Sequence, residues 1–158
     1  FSLAKQLGVS RKVAEEFIEN YKLRHSGAMA FLDSCISHAR EHGFVTTVLG
    51  RRLPITDINS SNFNVKSYAE RNAINAPIQG TAADMIKIAM ARIQRQLETG
   101  GYATRMLLQV HDELVFDLLR DERQQVIPMI EREMREAMPL NVPVCVDIGI
   151  GENWLDAH

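Results

Sequence analysis

Two apolar runs, TRMLLQV (104–110) and LVFDLL (114–119), are separated by only three residues in this chain. So short a connection sends the second run back along the first, and the pair predicts an antiparallel hairpin. His111, Asp112 and Glu113 fall at its tip, two carboxylates side by side. Successive side chains of a strand face opposite ways, so both acids reach one site only if the turn rotates one of them. A glycosidase pair, which must flank its substrate across several ångströms, is a poor fit to adjacent residues. A hard cation is a better one, because Mg²⁺ takes one or two protein carboxylates and completes its shell with water and phosphate oxygens. Taken alone, HDE also reads as an ordinary polar turn.

The rest of the chain predicts helices around this hairpin. Ser10 is a candidate N-cap, with Val13, Phe17 and Tyr21 following at helical spacing as a core stripe. A second helix is expected over 28–42, with Met29, Leu32, Ile36 and Ala39 on one face and Gly43 past its end. FVTTVL (44–49) reads as a short strand, and the polar stretch from Gly50 to Asn64 as a loop carrying Arg51 and Arg52. Helical pattern resumes near Val65, is disturbed at Pro77, and becomes a long helix from Thr81 to Glu98. Asp84 is read as a first-turn acid of that helix, favoured by its dipole and structural in role. Ile127, Ile130 and Met134 mark a further helix with Pro128 in its first turn, and VPVCVDIGI a third strand over 142–150. The expected fold class is α+β: a small antiparallel sheet, hairpin 104–118 plus strand 142–150, covered by several helices.

With 158 residues, 46% of them hydrophobic, the chain has the makings of a sizeable core. No apolar stretch approaches the roughly 20 residues of a membrane span, so a soluble, intracellular protein is expected. Cys35 and Cys145 stand far apart among apolar neighbours and read as reduced core thiols. Residues 1–75 carry ten Lys/Arg against seven Asp/Glu, whereas residues 76–158 carry eight against thirteen. A basic half of this kind suits a polyanionic partner.

The tip gains meaning from its company. AERNAINAPIQGTAADMIK (69–87) precedes QVHDE, with Asp112 33 residues after Gln79. Together with FSLAKQL, TTVLGRRL, LLQVHDELVF and GIGENW, these motifs resemble, in order and over essentially the whole chain, the carboxyl-terminal fingers and palm of family A DNA polymerases. The pattern departs from the family's usual one at YKLRHSGAMAFL (21–32) and LPITDI (53–58), neither of which carries a catalytic position.

The resemblance implies template-directed DNA synthesis, with residues 1–78 in the fingers and 79–158 in the palm. It implies Asp112 as a catalytic metal ligand, Glu113 as its catalytic neighbour, and two Mg²⁺ ions in the complete enzyme. It places Arg71, Asn75, Gln79 and His111 on the primer-template, and Thr47, Arg51 and Arg52 in a template-strand contact region. The implied partners are primer-template DNA and deoxynucleoside triphosphates, in a bacterial, cytoplasmic and nucleoid-associated setting. The family's other metal-binding aspartate and its nucleotide-gripping helix are expected upstream of Phe1. The piece alone is therefore expected to be inactive, and its uncovered sheet edge to favour self-association. Two rivals remain at this point: a non-catalytic duplex-binding fragment, and a small phosphohydrolase in which Asp33, Asp57 or Asp84 joins Asp112.

Overall fold

A tight turn between Val110 and Glu113 makes the expected hairpin. In the computed structural model, which describes residues 2–157, β3 (Arg105–Val110) pairs antiparallel with β4 (Glu113–Asp117) from Arg105↔Asp117 to Val110↔Glu113. The ladder shifts between Met106 and Leu108, so Leu107 is an extra residue that bulges the strand. Before the hairpin come α1 (Ser2–Leu7), α2 (Arg11–Arg24), α3 (Ser26–His42), β1 (Phe44–Thr46), β2 (Arg52–Pro54) and α4 (Phe63–Thr99). After it, a 3₁₀ turn (Arg120–Glu122) leads into α5 (Arg123–Arg135). The chain divides into two compact units, residues 1–78 and 79–158.

In the first unit, Ser10 caps α2 by accepting the Val13 N–H, and α3 stops at Gly43, whose φ of 78° is the left-handed cap geometry glycine tolerates. The core joins Cys35 and Ala39 of α3, Val45 of β1, Ile55, Ile58, and Ala69 and Ala73 of α4. The expected core stripe on α2 is not one: Val13, Phe17 and Tyr21 are exposed, Phe17 at 56%, and Ala14 is the helix's buried residue. Periodicity identifies an amphipathic face but not what covers it. The stretch 50–64 is not all loop either. Arg52–Pro54 pairs with Phe44–Thr46, so the expected single strand is one arm of a small hairpin.

In the second unit, Ala89, Ile93 and Leu97 of α4 pack with Val126, Met129 and Ile130 of α5 and with Ala137. Met106, Leu114 and Phe116 of the hairpin close over this cluster. Two prolines depart from expectation, since Pro77 lies inside a continuous α4 and Pro128 is internal to α5 rather than in its first turn. Proline's fixed φ is compatible with a helix, and its cost is a missing N–H and a clash one turn back. For Pro77 that cost is offset where the helix buries Ala69 and Ala73 on the same side.

Residues 142–150 form no strand among the described residues; the sheets are two separate two-stranded ones, β1–β2 and β3–β4. Strand-like composition does not supply a hydrogen-bonding neighbour, and Pro143 lacks a donor. The following turn also folds back here: a Cβ on Gly149 would collide with the Ala157 carbonyl oxygen, so only glycine admits the approach. Cys145 is exposed rather than in a core, whereas Cys35 is buried. Among the described residues no helix is long and apolar enough to cross a membrane.

Candidate active site and nucleic-acid interface

The acidic tip is built by a two-residue turn. His111 has φ 53°, the positive first position of a mirror-image hairpin turn, and Val110 and Glu113 close it as a strand pair. The Gln109 side chain donates from Nε2 to the His111 carbonyl oxygen at 2.6 Å, bracing this left-handed residue. His111 and Asp112 are exposed, and Glu113 is half-buried as the first residue of β4. The turn thus takes Asp112 out of the strand's alternation, while Glu113 opens β4. Gln109 was missed by sequence reasoning; its only signal is a polar residue within an apolar run beside a turn.

On α4, Arg71, Asn75 and Gln79 follow at intervals of four and are all exposed. Ala73 and Pro77, two residues out of step and therefore on the opposite side of the helix, are buried. The small buried residues thus turn the long polar ones outward. The Arg71 guanidinium donates to Ser67 Oγ at 3.3 Å and stands 5.8 Å from the centre of the Tyr68 ring.

In the β1–β2 hairpin, Thr47 is only 4% exposed. Its hydroxyl accepts the Arg51 N–H at 3.1 Å, its own N–H donates to the Arg51 carbonyl, and Gly50 supplies φ 80° between them. Arg51 and Arg52 are exposed, with the Arg52 guanidinium 4.8 Å from the centre of the Phe44 ring. Thr47 therefore shapes the turn that presents Arg51.

Asp84 is not a first-turn acid. It sits deep within α4 and is 8% exposed, so the helix dipole cannot explain it. Among the described residues no three His, Cys, Asp or Glu side chains gather into a metal-holding group. Asp112 with Glu113 alongside matches an ion that takes one or two carboxylates and otherwise uses water and phosphate oxygens; it does not match a closed four-ligand site.

The fold and the site define an α+β protein with an acid-tipped hairpin and a row of exposed polar side chains along one long helix. The family model for DNA polymerase family A matches residues 1–156, and the chain belongs to that family. It is 44% identical over 157 residues to DNA polymerase I of Streptococcus pneumoniae (strain TIGR4), covering 99% of this chain and 18% of that protein. It is 46% identical over 158 residues to DNA polymerase I of Pseudomonas aeruginosa, covering 17% of that protein. The chain thus spans less than a fifth of these relatives. The POL domain of Pol1 from M. smegmatis, solved in complex with DNA primer-template and dNTP, matches with a TM-score of 0.91 at 41% identity, covering 99% of this chain and 28% of that one.

Proposed function

We propose that the chain is part of the fingers (1–78) and palm (79–158) of a template-directed DNA polymerase. The observation that carries this reading is the exposed Asp112 in a braced hairpin turn, on a chain that shares the fold of a POL domain solved with primer-template and dNTP. In the reaction, the primer 3′-oxygen attacks the α-phosphorus of a deoxynucleoside triphosphate, and pyrophosphate leaves with the electrons of the broken P–O bond.

Asp112 is the carboxylate that holds Mg²⁺, with Glu113 adding negative charge beside it. Two such ions, when bound, ease deprotonation of the attacking hydroxyl and neutralise charge on the leaving group. Arg71 and Gln79 donate to purine N3 and pyrimidine O2 in the minor groove, acceptors common to every correct pair, so they sense pair shape without choosing a sequence. Asn75 helps hold the primer-template near the site, and His111 contacts the primer end. Arg51 and Arg52 contact template phosphates, which gives affinity and salt dependence, and Thr47 acts through Arg51. The isolated chain is read as inactive, because it represents less than a fifth of the full-length relatives.

Primer extension with Mg²⁺ and four dNTPs tests this reading on the full-length parent, its Asp112→Ala variant and this chain alone. Extension by the parent, a loss of about a thousandfold or more in Asp112→Ala, and silence from the fragment are expected. Undiminished extension by Asp112→Ala refutes the metal role. A parent that binds duplex but never extends points to a non-catalytic duplex-binding protein.

A further inference from the structure

The open end of the catalytic hairpin is held by a single carboxylate. Glu122 closes the 3₁₀ turn after β4, and its Oε1 accepts the Ala103 N–H at 2.7 Å. Its Oε2 accepts both the Thr104 N–H at 2.9 Å and the Thr104 hydroxyl at 2.6 Å. The same hydroxyl oxygen accepts the Leu119 N–H at 3.2 Å. Thr104, immediately before β3, is 3% exposed, and Leu119 lies two residues beyond β4. Four hydrogen bonds therefore tie the start of one strand to the exit of the other, next to the terminal pair Arg105↔Asp117.

Such a tie resists slippage. A one-residue slip of β3 against β4 would flip every side chain of the slipped strand to the other face. The bulge at Leu107 makes the ladder locally irregular, so register must be enforced from the ends. Gln109 braces the tip locally, and the clasp ties the two strands at their base beyond the ladder pair Arg105↔Asp117.

We infer that the Glu122–Thr104 clasp is a positioning device: by fixing the register of β3 on β4 it places the Asp112–Glu113 turn for the reaction. The inference rests on the polymerase reading of that turn. Glu122 and Thr104 are positioning residues, acting on chemistry from the far end of the hairpin. Charge matters to the arrangement, because a carboxylate offers acceptors to three donors, whereas the amide of glutamine turns one edge into a donor facing donors.

The test uses the full-length polymerase with Glu122→Gln, Thr104→Val and Thr104→Ser. Hydrogen exchange in the 105–117 segment is measured beside single-nucleotide extension at saturating primer-template, with Mg²⁺ and dNTP titrated separately and well below the melting temperature. Glu122→Gln and Thr104→Val are expected to speed exchange in the segment. They are also expected to lower kcat by about ten- to a hundredfold and to raise the Mg²⁺ needed for half-maximal rate, with the KM for dNTP little changed. Thr104→Ser, which keeps the hydroxyl, restores all three. Faster exchange with unchanged kcat and Mg²⁺ dependence overturns the inference, leaving a structural staple only. So does a Thr104→Ser variant as impaired as Thr104→Val. Should Glu122→Gln not fold, the two Thr104 variants decide alone. Failure of the unmodified enzyme to extend any primer overturns the polymerase reading itself, and the inference with it.

Discussion

The Thr47 hydroxyl accepts the backbone N–H of Arg51 at 3.1 Å while the Thr47 N–H donates to the Arg51 carbonyl. These reciprocal bonds close the turn of the first hairpin with the arginine side chain on the outside. Removing the hydroxyl while keeping the shape, as in Thr47→Val, is expected to cost about 1 kcal/mol of stability. Because Arg51 then loses its fixed presentation, the slope of log affinity against log salt for duplex binding is expected to fall by about one contact. Binding measured across a salt series checks this; an unchanged slope means that Arg51 does not depend on Thr47.

The helix row makes a different demand. If Gln79 donates to the groove edge of the terminal pair, as proposed, Gln79→Ala is expected to slow extension from a matched terminus by the equivalent of about 1–3 kcal/mol. Extension from a mismatched terminus, whose acceptors are displaced, is expected to fall less. Single-nucleotide extension from both termini measures the difference, and equal losses would argue that Gln79 contributes only general affinity.

Acid should loosen the hairpin base. Hydrogen bonds from the Thr104 hydroxyl and from the Ala103 and Thr104 N–H groups hold the Glu122 carboxyl below its ordinary pKa. A carboxylate depressed on folding stabilises the native state above its unfolded pKa of about 4.3, and that contribution fades as pH falls through the lower folded value. Thr104→Val, which removes the largest of these causes, is therefore expected to flatten the loss of stability below about pH 4.3. Denaturant melts at a series of acidic pH values test the sign.

The two thiols differ in reach. Burial pushes the Cys35 thiol up and shields it, while Cys145 is exposed. Alkylation of this chain at neutral pH is expected to mark Cys145 quickly and Cys35 only on unfolding. Peptide mass mapping over time reads both rates; equal labelling in the folded state would contradict the burial of Cys35.

The parts of this structure that sequence reasoning reached are those governed by local rules. Ser10 and Gly43 marked helix ends because capping chemistry is specific to residue type, and the short spacing around HDE left a hairpin as the economical connection. What it missed depends on partners distant in the chain. The stripe of Val13, Phe17 and Tyr21 could not say whether anything packs on it. Residues 142–150 have strand-like composition but no ladder, and Pro77 looked like a breaker where tertiary packing keeps α4 continuous. At the candidate site, Asp112 and the α4 row could be named from residue type and motif, and their roles stay proposals. The supports could not be named, since Gln109, Thr104 and Glu122 act through hydrogen bonds that no spacing encodes.

The most direct measurement of the central claim is single-turnover nucleotide addition, run beside an independent binding measurement, on full-length enzyme carrying Asp112→Ala. The account expects primer-template affinity within about threefold of the unmodified enzyme and a chemical step slowed by about a thousandfold or more at saturating DNA, dNTP and Mg²⁺. A variant that adds nucleotide at the normal rate, or whose whole defect is lost DNA binding, would contradict it.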